Sequence, residues 1–293
     1  MTNRDDMPRG PRSRPEPRRG GPKGGVIDLA ERDQLAHALA TARLASDAAV
    51  RILRSAQAHA QAEVKSFPGD LVSAADRAAE SAIISVINKR RPTDAILSEE
   101  AGSRSSESRP LWVVDPIDGT SNFLRGAAPW AISIALVDEE GPLVGVVTIP
   151  PWRQQYSAVR GQGSWVNGVE LRKRAAVVPE GAVVSTGLSY RPALRSRWLR
   201  ALAPVLEHVA DIRRSGSAAS DLCAVAAGLT DGFVELDLSV WDVAAGLLIA
   251  AEAGCSVWSL ERPGAVDVLA ACPGLEAILL PALEREHARL LRE

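Results

Sequence analysis

The chain has 293 residues, of which 46% are hydrophobic and 24% charged, with a formal net charge of −2, the composition of a soluble globular protein with a large core. The charge is uneven: residues 1–25 carry six Arg and one Lys against Asp5, Asp6 and Glu16, a net of +4, which leaves the remainder at −6. So acidic a body argues against a nucleic-acid surface and is compatible with a cation-binding enzyme.

Residues 1–25 are rich in Pro, Gly and Arg and too poor in apolar side chains to offset ordering entropy, so a disordered basic tail is expected there. It has no apolar stretch of the kind a secretory signal needs. Residues 26–293 are expected to form one catalytic domain, with two fused halves meeting near residue 180 as an alternative. Asp28-Leu29-Ala30-Glu31 reads as a capping box. Leu35, Leu39, Ala42, Ala49, Ile52 and Leu53 then recur at helical spacing. A second helix is expected from about Ser73 to Lys89, stopping before Arg91-Pro92. Short strand signals follow at 95–97 and at 111–114, the latter ending at Asp115.

The period then shifts towards strands. Ala131 to Val137 and Leu143 to Ile149 flank the turn signal at 138–142, and Tyr156 to Val159 and Ser164 to Val166 flank a second one. A strand is expected at Val183-Val184 and a helix kinked by Pro204 from Arg197 to Val209. Beyond it lie a small-residue helix from Ala218 to Ala227, a strand from Phe233 to Leu236, and a helix from Asp242 to Ala253. Helices and mixed strands in this order fit a layered α/β or α+β sandwich better than a simple doubly wound sheet. With aromatic residues at only 4%, the core must be built from Ala, Val, Leu and Ile. The apolar run near Val243 to Ala251 is far too short to span a membrane. Cys223, Cys255 and Cys272 form no C-x-x-C and read as reduced core thiols of a cytoplasmic protein. Arg172-Lys173-Arg174 reads as a solvated strand edge, Trp112, Trp130, Trp152, Trp165 and Trp241 as core or interface, and the four histidines as without a catalytic role.

The chemistry is concentrated in three short segments. Asp115-Pro116-Ile117-Asp118-Gly119-Thr120 follows a buried strand. Its carboxylates can hold a cation, Gly119 permits an unusual backbone angle, and the helix start that follows offers amides to an anion. Ser98-Glu99-Glu100 follows the strand at 95–97. Trp241-Asp242-Val243-Ala244-Ala245-Gly246 places Asp242 at a helix start, where a plain N-cap is the simpler reading. The three taken together change that judgement. Four carboxylates converging in one cleft need compensation, and hard oxygen ligands call for Mg²⁺ or a similar cation. Two such ions suit an in-line phosphoryl displacement by water.

These three motifs, in this order, resemble those of the inositol monophosphatase family. Similarity runs most clearly from Lys65 to Gly254. The resemblance implies metal ligands at Glu99, Asp115, the Ile117 carbonyl, Asp118 and Asp242, for two or three Mg²⁺ ions per site. It implies a phosphate-binding turn at Gly119 and Thr120, with Asp76 paired to Thr120. It also implies that Glu99 and Thr120 orient the attacking water, so that Glu99, Thr120 and Asp76 form the catalytic set. Gly216, Ser217, Ala218, Glu235 and Asp242 would face the substrate, and Lys65 would stand near the metals. An α-β-α-β-α sandwich, a homodimer in the cytoplasm, and inhibition by Li⁺ are implied as well. Ser73 stands where Thr is usual, and Ser98 where Gly is common.

The expected activity is Mg²⁺-dependent hydrolysis of the phosphate monoester of a small polyol, inositol monophosphate first. Histidinol phosphate, 3′-phosphoadenosine 5′-phosphate and fructose 1,6-bisphosphate are the alternatives within the superfamily. A regulatory binding protein that keeps the fold is the alternative from another class. Neither nucleic acid nor membrane is expected as a partner. Arg213-Arg214 is left between surface charge, dimer contact and substrate steering.

Overall fold

The computed structural model describes residues 18–19, 29–56, 62–64, 71–104 and 110–292. Asp28, Lys65 and, apart from Arg18–Arg19, the basic segment 1–25 lie outside the described residues. In chain order the elements are β1 (Arg18–Arg19), α1 (Leu29–Ala56), β2 (Ala62–Val64), β3 (Leu71–Ser73), α2 (Ala74–Arg90), β4 (Ala95–Ser98), β5 (Gly102–Arg104), β6 (Leu111–Asp118) and α3 (Thr120–Leu124). There follow β7 (Ala131–Asp138), β8 (Gly141–Ile149), β9 (Gln154–Val159), β10 (Gly163–Val166), β11 (Val169–Glu170), β12 (Val183–Ser185), α4 (Pro192–Leu202) and β13 (Asp211–Arg213). The chain ends with α5 (Ala218–Ala227), β14 (Gly232–Leu238), α6 (Val240–Glu252), β15 (Ser256–Arg262), β16 (Ala265–Ala271) and α7 (Glu276–Leu290).

Two mixed sheets organise these elements into an α-β-α-β-α sandwich. The first has eight strands in the order β11-β10-β9-β8-β7-β6-β4-β5, and the second has six in the order β1-β15-β16-β14-β12-β13. Apart from β1, each sheet is built from one continuous stretch of chain, with the change between β11 and β12. Helices α1 and α2 cover one face of the first sheet through Ala42, Ala49, Leu53, Ile83 and Ile87, which pack with Trp112, Ile132 and Val146. Helices α4 and α7 cover the outer face of the second, where Trp198, Leu202, Leu279 and Leu283 meet Val234 and Leu269.

The middle layer is α5 with α6, apolar on both sides. Ala219, Cys223, Ala245 and Ile249 face the first sheet, while Leu222, Val225, Val243 and Ala250 face the second. Such a layer needs small residues where backbones approach. A side chain at Gly145 of β8 would put its Cβ 2.8 Å from the Ala245 carbonyl oxygen of α6.

The structure moves several expected boundaries. Strand β6 continues through Asp115 to Asp118, and its pairing with β7 shifts register between those residues. Pro116, which has no N–H to give the ladder, falls within that irregularity, where a strand tolerates proline. The helix expected over Arg197 to Val209 begins earlier, with Pro192 at its first turn, and gives way to a 3₁₀ turn at Ala203–Glu207. Proline at a helix start needs no donor, whereas Pro204 cannot continue an α-helix. The run 172–174 is not part of a strand: Arg172 and Lys173 are exposed, as expected, but Arg174 is half-buried and donates to Asp231 at 2.9 Å, while Lys173 donates to the Glu252 carbonyl. Trp112 and Trp130 are core residues, but Trp152 is exposed. All three cysteines are buried and free. Among the described residues no helix is long and apolar enough to cross a membrane.

Candidate active site

The bulged end of β6 opens a cleft lined by Glu99, Asp115, Ile117, Asp118, Gly119 and Thr120 on one side. Within the bulge the Ile117 amide donates to Asp115 Oδ1 at 2.9 Å, so the local backbone orients its own carboxylate. Gly119 then turns the chain with φ +91°, and an added Cβ would stand 3.0 Å from the Gly216 carbonyl. Only glycine combines that angle with that approach. Thr120 opens α3, and its hydroxyl lies 3.2 Å from Asp76 Oδ1 and 3.0 Å from the Ile117 carbonyl. Asp76 is fully buried and closes a capping box at the start of α2, accepting from the Ser73 amide and hydroxyl. The expected Asp76–Thr120 pair is therefore formed. Ser73 supplies the hydroxyl that its position requires.

Helices α5 and α6 bring the remaining carboxylates in. Asp118 Oδ2 accepts from the Ser217 hydroxyl at 2.5 Å and from the Ala219 amide at 2.7 Å, so the N-terminus of α5 grips it. Asp242 sits at the third position of α6, not at its cap. Ser239 is the cap, and its amide donates to Asp242 Oδ2 at 2.7 Å. The plain N-cap reading of Asp242 therefore gives way: Asp242 closes the capping box from the third position and faces the cleft with the same side chain. Ligand atoms of Asp115, Asp118 and Asp242 all lie within 4.8 Å of one another. Glu99 comes within hydrogen-bonding reach of Asp115.

Burial, with the neighbouring carboxylates adding to it, drives the Asp115 and Asp242 carboxyls far above the usual range. Burial likewise takes Asp118 up to about 6. Carboxylates so close and so dry repel unless something positive joins them. The side-chain donors are all hard oxygens, and Ile117 also lines the space. That set fits a divalent cation of the Mg²⁺ kind and not a thiolate- or imidazole-loving metal.

The opposite wall carries Gly216, Ser217, Ala218, Asp221 and Glu235, with Gly187 to Arg191 and Asp237 at the rim. Glu235 is only 8% exposed, yet it makes no hydrogen bond or ion pair among the described residues. Its carboxylate lies across Gly187, where a Cβ would stand 2.0 Å from Oε1. Gly187 was not singled out in the sequence, because its only signal is the absence of a side chain. Asp221 was also passed over: it sits one helical turn past Ser217, bonded to the Ser215 hydroxyl at 2.7 Å, and burial takes its carboxyl up to about 7. Asn122 ties the two walls together, donating to the carbonyls of Pro129 and Ser215 at 2.6 and 3.0 Å. Every site residue named from the sequence lines this cleft except Asp76, which lies behind Thr120, and Lys65, which lies outside the described residues.

Comparison with known proteins decides the family. Residues 31–292 match the model of the inositol monophosphatase family. The chain belongs to that family. It is a phosphoric monoester hydrolase of the metal-dependent kind, acting on a phosphorylated polyol. An inositol-1-monophosphatase from Rhizobium meliloti is 44% identical over 200 residues, covering 67% of this chain and 74% of the relative. Nus factor SuhB from Haemophilus influenzae is 40% identical over 187 residues, covering 63% of this chain and 70% of that protein. The crystal structure of the extragenic suppressor protein suhB from Bartonella henselae superposes with a TM-score of 0.75 at 35% identity, covering 86% of this chain and 98% of that one.

Proposed function

We propose that the family member described here hydrolyses inositol monophosphate, with Asp115, Asp118, Asp242, Glu99 and the Ile117 carbonyl holding two or three Mg²⁺ ions. Bound Mg²⁺ would supply the Lewis acidity that polarises the phosphoryl group and makes water a nucleophile at neutral pH. Gly119 and Thr120 would receive the phosphate on their amides. With the Ile117 carbonyl given to a metal ion, the Thr120 hydroxyl would donate its proton to Asp76, leaving its lone pairs to accept from a water. Glu99 would orient the same water from the other side. Ser217 and Ala218 form the wall along which the polyol lies.

The observation that carries the polyol is Glu235. A buried carboxylate with no hydrogen bond among the described residues, and only the charge of Arg214 to favour it, is costly unless a ligand completes it. Two neighbouring hydroxyls would do so through charge-assisted bonds worth about 1.5–3 kcal/mol each. Steady-state turnover on inositol monophosphate and on p-nitrophenyl phosphate tests this. Glu235→Gln should lower kcat/KM for the inositol ester by about tenfold to a hundredfold and spare the generic ester. Equal losses on both would remove the recognition role. A homodimer in the cytoplasm and inhibition by Li⁺ accompany this reading. Sedimentation equilibrium, fractionation of the native cell and a Li⁺ titration test them.

Arg214 favours a second reading of the substrate. It lines the cleft and makes no hydrogen bond or ion pair among the described residues, whereas Arg191 on the facing rim is paired with Asp237 at 3.3 Å. A guanidinium held there only by the charges of Asp221 and Glu235 suits a substrate with a second phosphate, such as fructose 1,6-bisphosphate. Arg214→Ala would then weaken the bisphosphate about tenfold or more and inositol monophosphate by clearly less. No difference between the two substrates would reject this reading.

A further inference from the structure

Helix α2 carries a second buried carboxylate one turn beyond Asp76. Glu80 is 5% exposed and lies outside the cleft. Its Oε1 accepts from the amides of Glu100 and Ala101 at 3.0 and 3.1 Å. Those amides belong to the loop of the β4–β5 hairpin, closed by the pairing of Ser98 with Gly102. Glu99 is the first residue of that loop, and its own amide donates to the Val114 carbonyl of β6 at 3.2 Å. The backbone bearing Glu99 is therefore held from both sides, by a β6 carbonyl and by the Glu80 carboxylate. Like charges four residues apart on a helix oppose its stability, yet α2 keeps Asp76 and Glu80 in that register. The shared register serves the cleft: Asp76 braces the Thr120 turn and Glu80 braces the Glu99 turn. Aligned amides capped by a carboxylate lock a loop in one conformation, and a loop of this length has no core of its own to do so.

We propose that Glu80 is a positioning residue for metal binding, acting through the hairpin loop that presents Glu99. This rests on the reading of Glu99 as a metal ligand. Outer contacts that orient a ligand are worth about tenfold to a hundredfold in metal affinity.

The test is calorimetric titration of Mg²⁺ into the metal-stripped full-length chain, alongside the Mg²⁺ dependence of turnover. Glu80→Ala should weaken Mg²⁺ binding by about tenfold to a hundredfold, with KM for the phosphate ester at saturating Mg²⁺ unchanged. Glu80→Gln, whose Oε1 still accepts from both amides, should bind close to wild type. Should Glu80→Ala fail to fold, Glu80→Asp takes its place, because the shorter side chain cannot reach both amides. Wild-type Mg²⁺ affinity in the truncated variant, or equal weakening by Glu80→Gln, would overturn the proposal. Glu99→Gln separates the two layers of the argument. If it binds Mg²⁺ like wild type, the ligand reading of Glu99 falls and the role of Glu80 with it. If it weakens binding while Glu80→Ala does not, only Glu80 falls.

Discussion

Asp115 occupies the most constrained position in the cleft. It is 1% exposed, lies in an irregular strand, and faces Glu99, Asp118 and Asp242 together. On the proposed assignment Asp115→Asn removes one of the buried charges that would hold the Mg²⁺ ions. Loss of several kcal/mol of transition-state stabilisation corresponds to a fall in kcat/KM of about a thousandfold. The same change relieves repulsion when no metal is bound. The metal-stripped variant should therefore melt at or above the wild-type temperature, even as activity vanishes. Near-normal turnover at saturating Mg²⁺ would defeat the assignment, and a lower Tm without metal would defeat the electrostatic account.

At the scale of elements, the middle layer is the part least tolerant of added volume. Helix α6 bears Asp242 near its first turn and packs its Ala244, Ala245, Leu248 and Ile249 on the first sheet. Gly145 lets β8 touch the backbone of α6, with the Ala245 Cα only 3.0 Å from where a Cβ would be. Backbone cannot rotate out of the way as a side chain can. Gly145→Ala should thus destabilise the fold by about 1–3 kcal/mol, read as a lower denaturant midpoint. Because α6 would be displaced along with Asp242, the Mg²⁺ requirement should rise too. A variant with unchanged midpoint would show that the layers separate more freely than their packing suggests.

For the whole molecule, the acidic cleft ties stability to pH and to cations. Burial raises Asp118 to about 6 and Asp221 to about 7, against 3.8 for an unperturbed Asp. Between those limits the folded chain holds protons that the unfolded chain has released. Stability of the metal-stripped protein should therefore fall as pH rises from about 4 to about 7. A cation that binds only the folded state opposes this, so the gain in Tm on adding Mg²⁺ should be larger at pH 8 than at pH 5. Thermal melts across that range, with and without Mg²⁺, check both trends. A metal-stripped protein that grows more stable with rising pH would contradict the shifts.

The sequence alone determined the carboxylate motifs, the helices at 74–90 and 218–227, and the layered class, because each rests on neighbours in the chain. The six residues from Asp115 to Thr120 contain both the charges and the glycine their turn requires, so their chemistry was legible before any folding. The hairpin of β15 and β16 and helix α7 were not foreseen. Pro281 interrupts the helical pattern, and Asp267 lies inside an otherwise apolar strand, acceptable because Arg262, His287 and the Asp237 amide reach it in space. Tertiary structure likewise decided what Gly187, Asp221 and Glu80 do. Gly187 matters for a carboxylate 48 residues away in sequence, and Glu80 for amides 20 and 21 residues on. Contacts of that range leave no periodic trace in a sequence: they exist only once two sheets and a helix layer have fixed where each backbone runs.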